Sequence, residues 1–136
     1  MDETAKARSV KVERILKVQR QLHKLSELKL VRLERAIVEL RAEEAALIES
    51  LNDSDALQGL FVDARAKRLQ SLAGQVSQTE ATKLVQGQRT LDRAMQAKRA
   101  ERMADRLEKE DRRQGEKKSL QEILDRLPAK RDASLP

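Results

Sequence analysis

Residues 12–51 contain neither Gly nor Pro, and their apolar members recur every three or four positions. A stretch with no helix breaker and that spacing is a single long amphipathic helix. Ile15, Val18, Leu22 and Leu25 form one run. Leu30, Leu33, Ile37, Leu40, Leu47 and Leu51 form another, with Glu44 in the seam. Two successive steps of four, from Leu22 through Ser26 to Leu30, join them, which reads as a stutter in a heptad pattern. A helix of this length spans ~60 Å and needs a partner along its whole seam.

The partner is the second half of the same chain. From about Leu57 onward, Leu69, Leu72, Val76, Leu84, Leu91, Ala94, Met103 and Leu107 form a thinner seam. In an antiparallel pairing whose residue numbers total about 109, Leu40 meets Leu69, Ile37 meets Leu72 and Leu33 meets Val76. Further out, Leu25 meets Leu84, Val18 meets Leu91 and Ile15 meets Ala94, while Ile48 meets Phe61 near the tip. The bend falls at residues 52–55, Asn-Asp-Ser-Asp, whose short polar side chains suit turns and helix N-caps. The expected fold is all-α: a long two-helix antiparallel coiled-coil hairpin, with arm one at about 5–51 and arm two at about 56–127. The other arrangement the pattern allows is a parallel dimer of one long rod.

Arm two outruns arm one. The overhang "EKEDRRQGEKK" is nearly all charged, and Gly115 is a candidate hinge within it. Leu120, Ile123, Leu124 and Leu127 then mark one helix face, which Pro128 ends. Residues 128–136 read as a disordered tail.

Composition supports this layout: 38% of the 136 residues are charged, and Phe61 is the lone aromatic. Without aromatics a deep core is not expected, which favours narrow helical seams. The chain has no Cys, so disulfides and thiolate metal sites are excluded. No apolar run approaches the ~20 residues of a membrane span, and the N-terminus lacks a secretory signal's apolar core. The expectation is a soluble, cytoplasmic protein without membrane insertion.

No catalytic constellation, cofactor site or metal site is visible, and the chain is not expected to be an enzyme. His23 is the sole histidine and has no second ligand at helical spacing. Glu43 and Glu44 are adjacent carboxylates, but a two-helix seam offers no water-poor pocket for acid–base work. The glycines are isolated rather than clustered around a phosphate site.

Charge is more informative. Residues 8–35 carry nine Lys/Arg against three acids, residues 36–63 one against seven, and residues 64–100 eight against two. The hairpin therefore has an acidic tip and a basic shank, which suits an adaptor between two partners. Nucleic acid is disfavoured as a partner. Stacking aromatics are lacking, and the basic pairs near the C-terminus are interleaved with acids.

The long uninterrupted first helix, short polar bend, longer second helix and closing run "RRQGEKKSLQEILDRL" (residues 112–127) resemble the FliJ/YscO family. These are stalk proteins of flagellar and virulence type III secretion systems. The resemblance implies a non-catalytic hairpin that inserts its open end into a hexameric export ATPase and stimulates it. It also implies contact with the cytoplasmic domain of the export gate and, in some members, with substrate chaperones. Arg8, Lys11, Arg14, Lys98, Arg99, Arg102 and Arg106, all near the open end, are the expected contacts for acidic loops in such a ring. Phe61 at the tip, or the face of Leu120, Ile123, Leu124 and Leu127, would hold a second partner. The alternative reading is a generic coiled-coil scaffold or chaperone-like adaptor. Pairing of outer faces into a homodimer is left open.

Overall fold

The computed structural model describes residues 2–53 and 61–127. It consists of two long helices, α1 (Asp2–Asn52) and α2 (Val62–Arg126), packed against each other as an all-α helical hairpin. Residues 54–60 and 128–136 lie outside the described residues, and with them most of the expected bend and all of the expected tail. The chain divides into two compact units. One joins Met1–Arg20 to Gln96–Pro136, and the other is Gln21–Met95.

In Gln21–Met95 the seam of α1 runs through His23, Ser26, Leu30, Leu33, Ile37, Leu40, Glu44, Leu47 and Leu51, an unbroken alternation of threes and fours, with Leu22, Ala36 and Ser50 half-covered beside it. The seam of α2 repeats it at Arg65, Leu69, Leu72, Val76, Thr79, Lys83, Gln86 and Thr90, with Glu80, Gly87, Arg93 and Ala94 half-covered beside it. This is an uninterrupted heptad seam, and the expected stutter is absent. Ser26 Oγ lies 2.9 Å from Thr90 Oγ1, and the Gln86 amide donates to the Ser26 carbonyl at 3.1 Å. Facing residue numbers thus total about 116, as Ser26 and Thr90 do.

The expected register of 109 is therefore wrong by one heptad. The physical reason is the connection: α1 ends at Asn52 and α2 begins at Val62, not near residue 56. A longer connection moves every facing pair by the same count. The covered face differs as well, for a separate reason: a two-helix seam is too narrow to cover every apolar residue. Leu25, Leu84 and Leu91, assigned to the seam on apolar spacing, are exposed, and Leu84 is 74% accessible.

Three ion pairs flank this seam in an orderly way. Arg41 meets Glu80 and Lys83 meets Glu34 on one side, while Arg68 meets Glu43 at 3.3 Å on the other. All are exposed, so each adds at most about 1 kcal/mol, but together they disfavour other registers. Arg65 donates to the Ser50 carbonyl at 3.4 Å. It brings a cation to the negative end of α1, whose own last turn has no basic residue.

The centre of the seam is polar. Gln86 donates to both the carbonyl and the hydroxyl of Ser26, and Thr90 also donates to the Gln86 carbonyl at 2.8 Å. Such a satisfied layer contributes little net stability, but a shifted register would strand its donors away from water. Replacing the layer by Ser26→Ala, Gln86→Leu and Thr90→Val should therefore raise the melting temperature while relaxing the register. Thermal denaturation reads the first effect. Disulfide trapping with Leu33→Cys paired to Lys83→Cys or to Val76→Cys reads the second, and the Val76 pair should become trappable only in the triple variant.

In the other unit, Ala5, Ser9, Val12, Leu16 and Gln19 of α1 are covered, as are Ala97, Ala100, Ala104, Leu107 and Asp111 of α2. Small alanines opposite branched residues let the helices approach closely. Arg20 faces Glu101 at 3.9 Å. Here too the expected seam is corrected: Ile15 (52%), Val18 (51%) and Met103 are exposed, and Leu16, Gln19 and Ala100 take their places. Beyond this seam residues 112–127 of α2 are all exposed. The helix passes through Gly115 without a break.

Candidate partner-binding surface

Reading outward from the seam locates each expected contact residue. Within the unit that joins Met1–Arg20 to Gln96–Pro136, one flank of α1 carries Arg8, Lys11, Ile15 and Val18. The adjoining flank of α2 carries Arg99, Met103, Arg106 and Arg113. The structure thus brings four of the seven expected cations, Arg8, Lys11, Arg99 and Arg106, to one side. Lys98 falls on the opposite flank, and Arg14 and Arg102 occupy the outer edges of their helices. All seven are exposed.

The cationic excess of this unit is concentrated there. Arg8, Lys11, Arg99, Arg106 and Arg113 oppose a single acid, Glu110. On the other flank Lys6, Lys17, Arg20, Lys98 and Arg112 oppose Glu13, Glu101, Asp105 and Glu108, which nearly cancels them. Arg20 and Glu101 pair directly, as do Arg112 and Glu108 at 3.1 Å.

Ile15, Val18 and Met103 lie among the five cations, so the flank combines positive charge with exposed apolar area. Such a surface can dock an acidic partner that also offers a few apolar side chains. Sequence reasoning missed these three as surface residues because it placed them in the seam. The signal that finds them is the frame one residue later, Val12, Leu16, Gln19 and His23, which keeps strict heptad spacing into the second run.

At the end of this unit, Thr4, Ala5, Ala7, Arg8 and Lys11 face Gln114 and Lys118 across an open hollow of about 820 Å³. Three of those seven residues are cations, which extends the positive flank toward the N-terminus of α1. The other expected contacts lie apart from it. Leu120, Ile123, Leu124 and Leu127 are exposed on the unpaired part of α2.

Within Gln21–Met95, Phe61 is exposed beside a shallow hollow lined by Leu47, Ala64, Arg65 and Arg68. The lining is basic, although residues 36–63 are acidic as a whole. His23 is half-buried in the seam, with Nε2 3.1 Å from Glu27 Oε1.

Among the described residues, no group of His, Cys, Asp or Glu could hold a metal ion, and no helix is long and apolar enough to cross a membrane. A scan against protein-family models, a search of curated proteins and a search of solved structures each gave no match. The fold and its surfaces define the class as an antiparallel two-helix coiled coil with one cationic flank.

Proposed function

We propose that the protein is a non-catalytic stalk of a type III protein export apparatus, flagellar or virulence-related. In this reading it binds and stimulates a hexameric export ATPase and links it to the cytoplasmic domain of the export gate. The observation that carries the proposal is the cationic flank of Arg8, Lys11, Arg99, Arg106 and Arg113, set on a helical hairpin whose second helix outruns its first. The resemblance of the layout and of residues 112–127 to the FliJ/YscO family supplies the identity of the partner.

Shallow charged contacts suit a shaft held inside a ring, because they hold it without fixing one deep orientation. The unpaired end of α2, with Leu120, Ile123, Leu124 and Leu127, offers a separate apolar face for the gate or a substrate chaperone. In this reading the protein works in the cytoplasm, at the base of the apparatus.

The test is ATPase stimulation and co-purification with the hexamer encoded nearest to the protein's own reading frame. The wild-type chain should stimulate hydrolysis, and the variant Arg99→Glu with Arg106→Glu should not. Equal stimulation by both would sink the assignment of Arg99 and Arg106, and no stimulation by the wild-type chain would leave the reading as a coiled-coil scaffold.

A further inference from the structure

We infer that the flank of Gln21–Met95 bearing Val38, Leu84 and Leu91 is the interface for a second copy of this chain, packed antiparallel into a four-helix assembly. This inference stands apart from the export-ATPase reading, since it involves the other unit.

The flank is unusual for an exposed coiled-coil face. Val38 is 67%, Leu84 74% and Leu91 66% accessible. Leu84 and Leu91 line an open groove of about 710 Å³, together with Leu30, Ile37 and Gly87. The charges at its centre are already matched within the chain, Arg41 with Glu80 and Glu34 with Lys83. A Cβ added at Gly87 would meet nothing within 4 Å, so the chain's own packing does not require glycine there. Glycine in a helix costs about 1 kcal/mol relative to alanine, and its use beside Leu84 and Leu91 fits a close approach by another helix.

Three observations select a second copy as the occupant. The first is steric. If an antiparallel copy is centred between Ile37 and Val38 on α1 and between Gln78 and Thr79 on α2, Leu84 lies opposite Ala73 of the second copy. Leu91 then lies opposite its Ala66, so each large residue meets a small one.

The second is electrostatic. The same centring sets Glu34 opposite Arg41 of the second copy, and the reverse, so two internal ion pairs join into one network. By sequence, the half of the unit nearer the connection (38–78) carries seven acids against four Lys/Arg, and the other half carries seven Lys/Arg against four acids. Antiparallel copies bring these unlike halves together.

The third is area. Two helices over residues 62–95 of α2 present a face of roughly 50 by 20 Å, about 1,000 Å² per copy. A standard stable interface buries about 800 Å² per partner. Leu72 is the one large side chain fully buried among the described residues, so the hairpin alone leaves most of its apolar surface in water.

Light scattering on the full chain, coupled to size-exclusion chromatography, tests the inference. At micromolar concentration the mass should be twice the 15.5 kDa of one chain. Leu84→Glu with Leu91→Glu should weaken dimerisation at least tenfold. Because both side chains are exposed, helicity by circular dichroism should not change.

The chain has no native Cys, so single cysteines report geometry directly. Under oxidation, Val38→Cys beside the two-fold centre should form disulfide-linked dimers. Val85→Cys, on the opposite flank, should not. A single-chain mass at all concentrations would overturn the inference, as would a dimer indifferent to the Leu84/Leu91 change or equal cross-linking at positions 38 and 85.

Discussion

Replacing Leu72 with Asp should unfold the hairpin around it, and Leu72→Ala should destabilise it by about 3 kcal/mol, within the usual range for a buried leucine. Leu72 is fully buried, and the register sets it level with Glu44, between Leu40 and Leu47. An aspartate there would lie beside Glu44 with no cation level with it in the seam. Burying an unpaired charge next to a like charge costs more than a cavity. For a chain of this size, a loss of 3 kcal/mol lowers the melting temperature by roughly 10 °C. Thermal denaturation followed by circular dichroism measures it, with Val85→Asp as the control. Since Val85 is exposed and lies on the flank opposite Leu84, that control should stay within about 0.5 kcal/mol of wild type. If Leu72→Asp melted like the control, the seam assignment around it would be wrong.

The second large effect concerns the cationic flank. Arg99→Glu with Arg106→Glu changes its balance from five cations and one acid to three of each, which abolishes its net charge. If the flank meets acidic loops of an export ATPase, two attractive contacts become repulsive. Apparent affinity should then fall at least tenfold, about 1.4 kcal/mol. The matched control is Lys17→Glu with Lys98→Glu on the opposite flank. It changes the chain's net charge by the same amount, so a loss shared by both variants would mean a diffuse field effect rather than a docking flank. The wild-type interaction should also weaken as salt is raised, because these charges are solvent-exposed. Stimulation curves at two ionic strengths read both quantities.

The hairpin was legible in the sequence because residues 12–51 admit only a long helix, and a helix that long needs a partner the second half can supply. The face and the register were not legible, for two separate reasons. The rule that apolar residues turn inward chose Ile15, Val18 and Leu25 over Leu16, Gln19 and Ser26. A seam between two helices is too narrow to cover every apolar residue, and Ser26 is tolerated inside it because Gln86 and Thr90 satisfy its hydrogen-bonding groups. The register followed from an assumed four-residue bend, whereas Asn52 and Val62 bound a longer connection. The choice of face had a further consequence for the surface. Residues placed in the seam, Ile15, Val18 and Met103 in one unit and Leu84 and Leu91 in the other, belong to the two proposed partner surfaces. The cations were easier to find, because exposure of Lys and Arg needs no register. Their division between two flanks does need it, and so Lys98 and Arg99 looked equivalent in the sequence but are not.

The most direct test of the structure is a comparison of two disulfides in an otherwise cysteine-free chain. Ser26→Cys with Thr90→Cys replaces side chains whose oxygens lie 2.9 Å apart. Ser26→Cys with Lys83→Cys probes the register one heptad away. Rapid intramolecular cross-linking of the first pair and none of the second is the expected result. Cross-linking of the second pair alone would show that the helices meet one heptad out of register, and would contradict the pairing of Ser26 with Gln86 and Thr90.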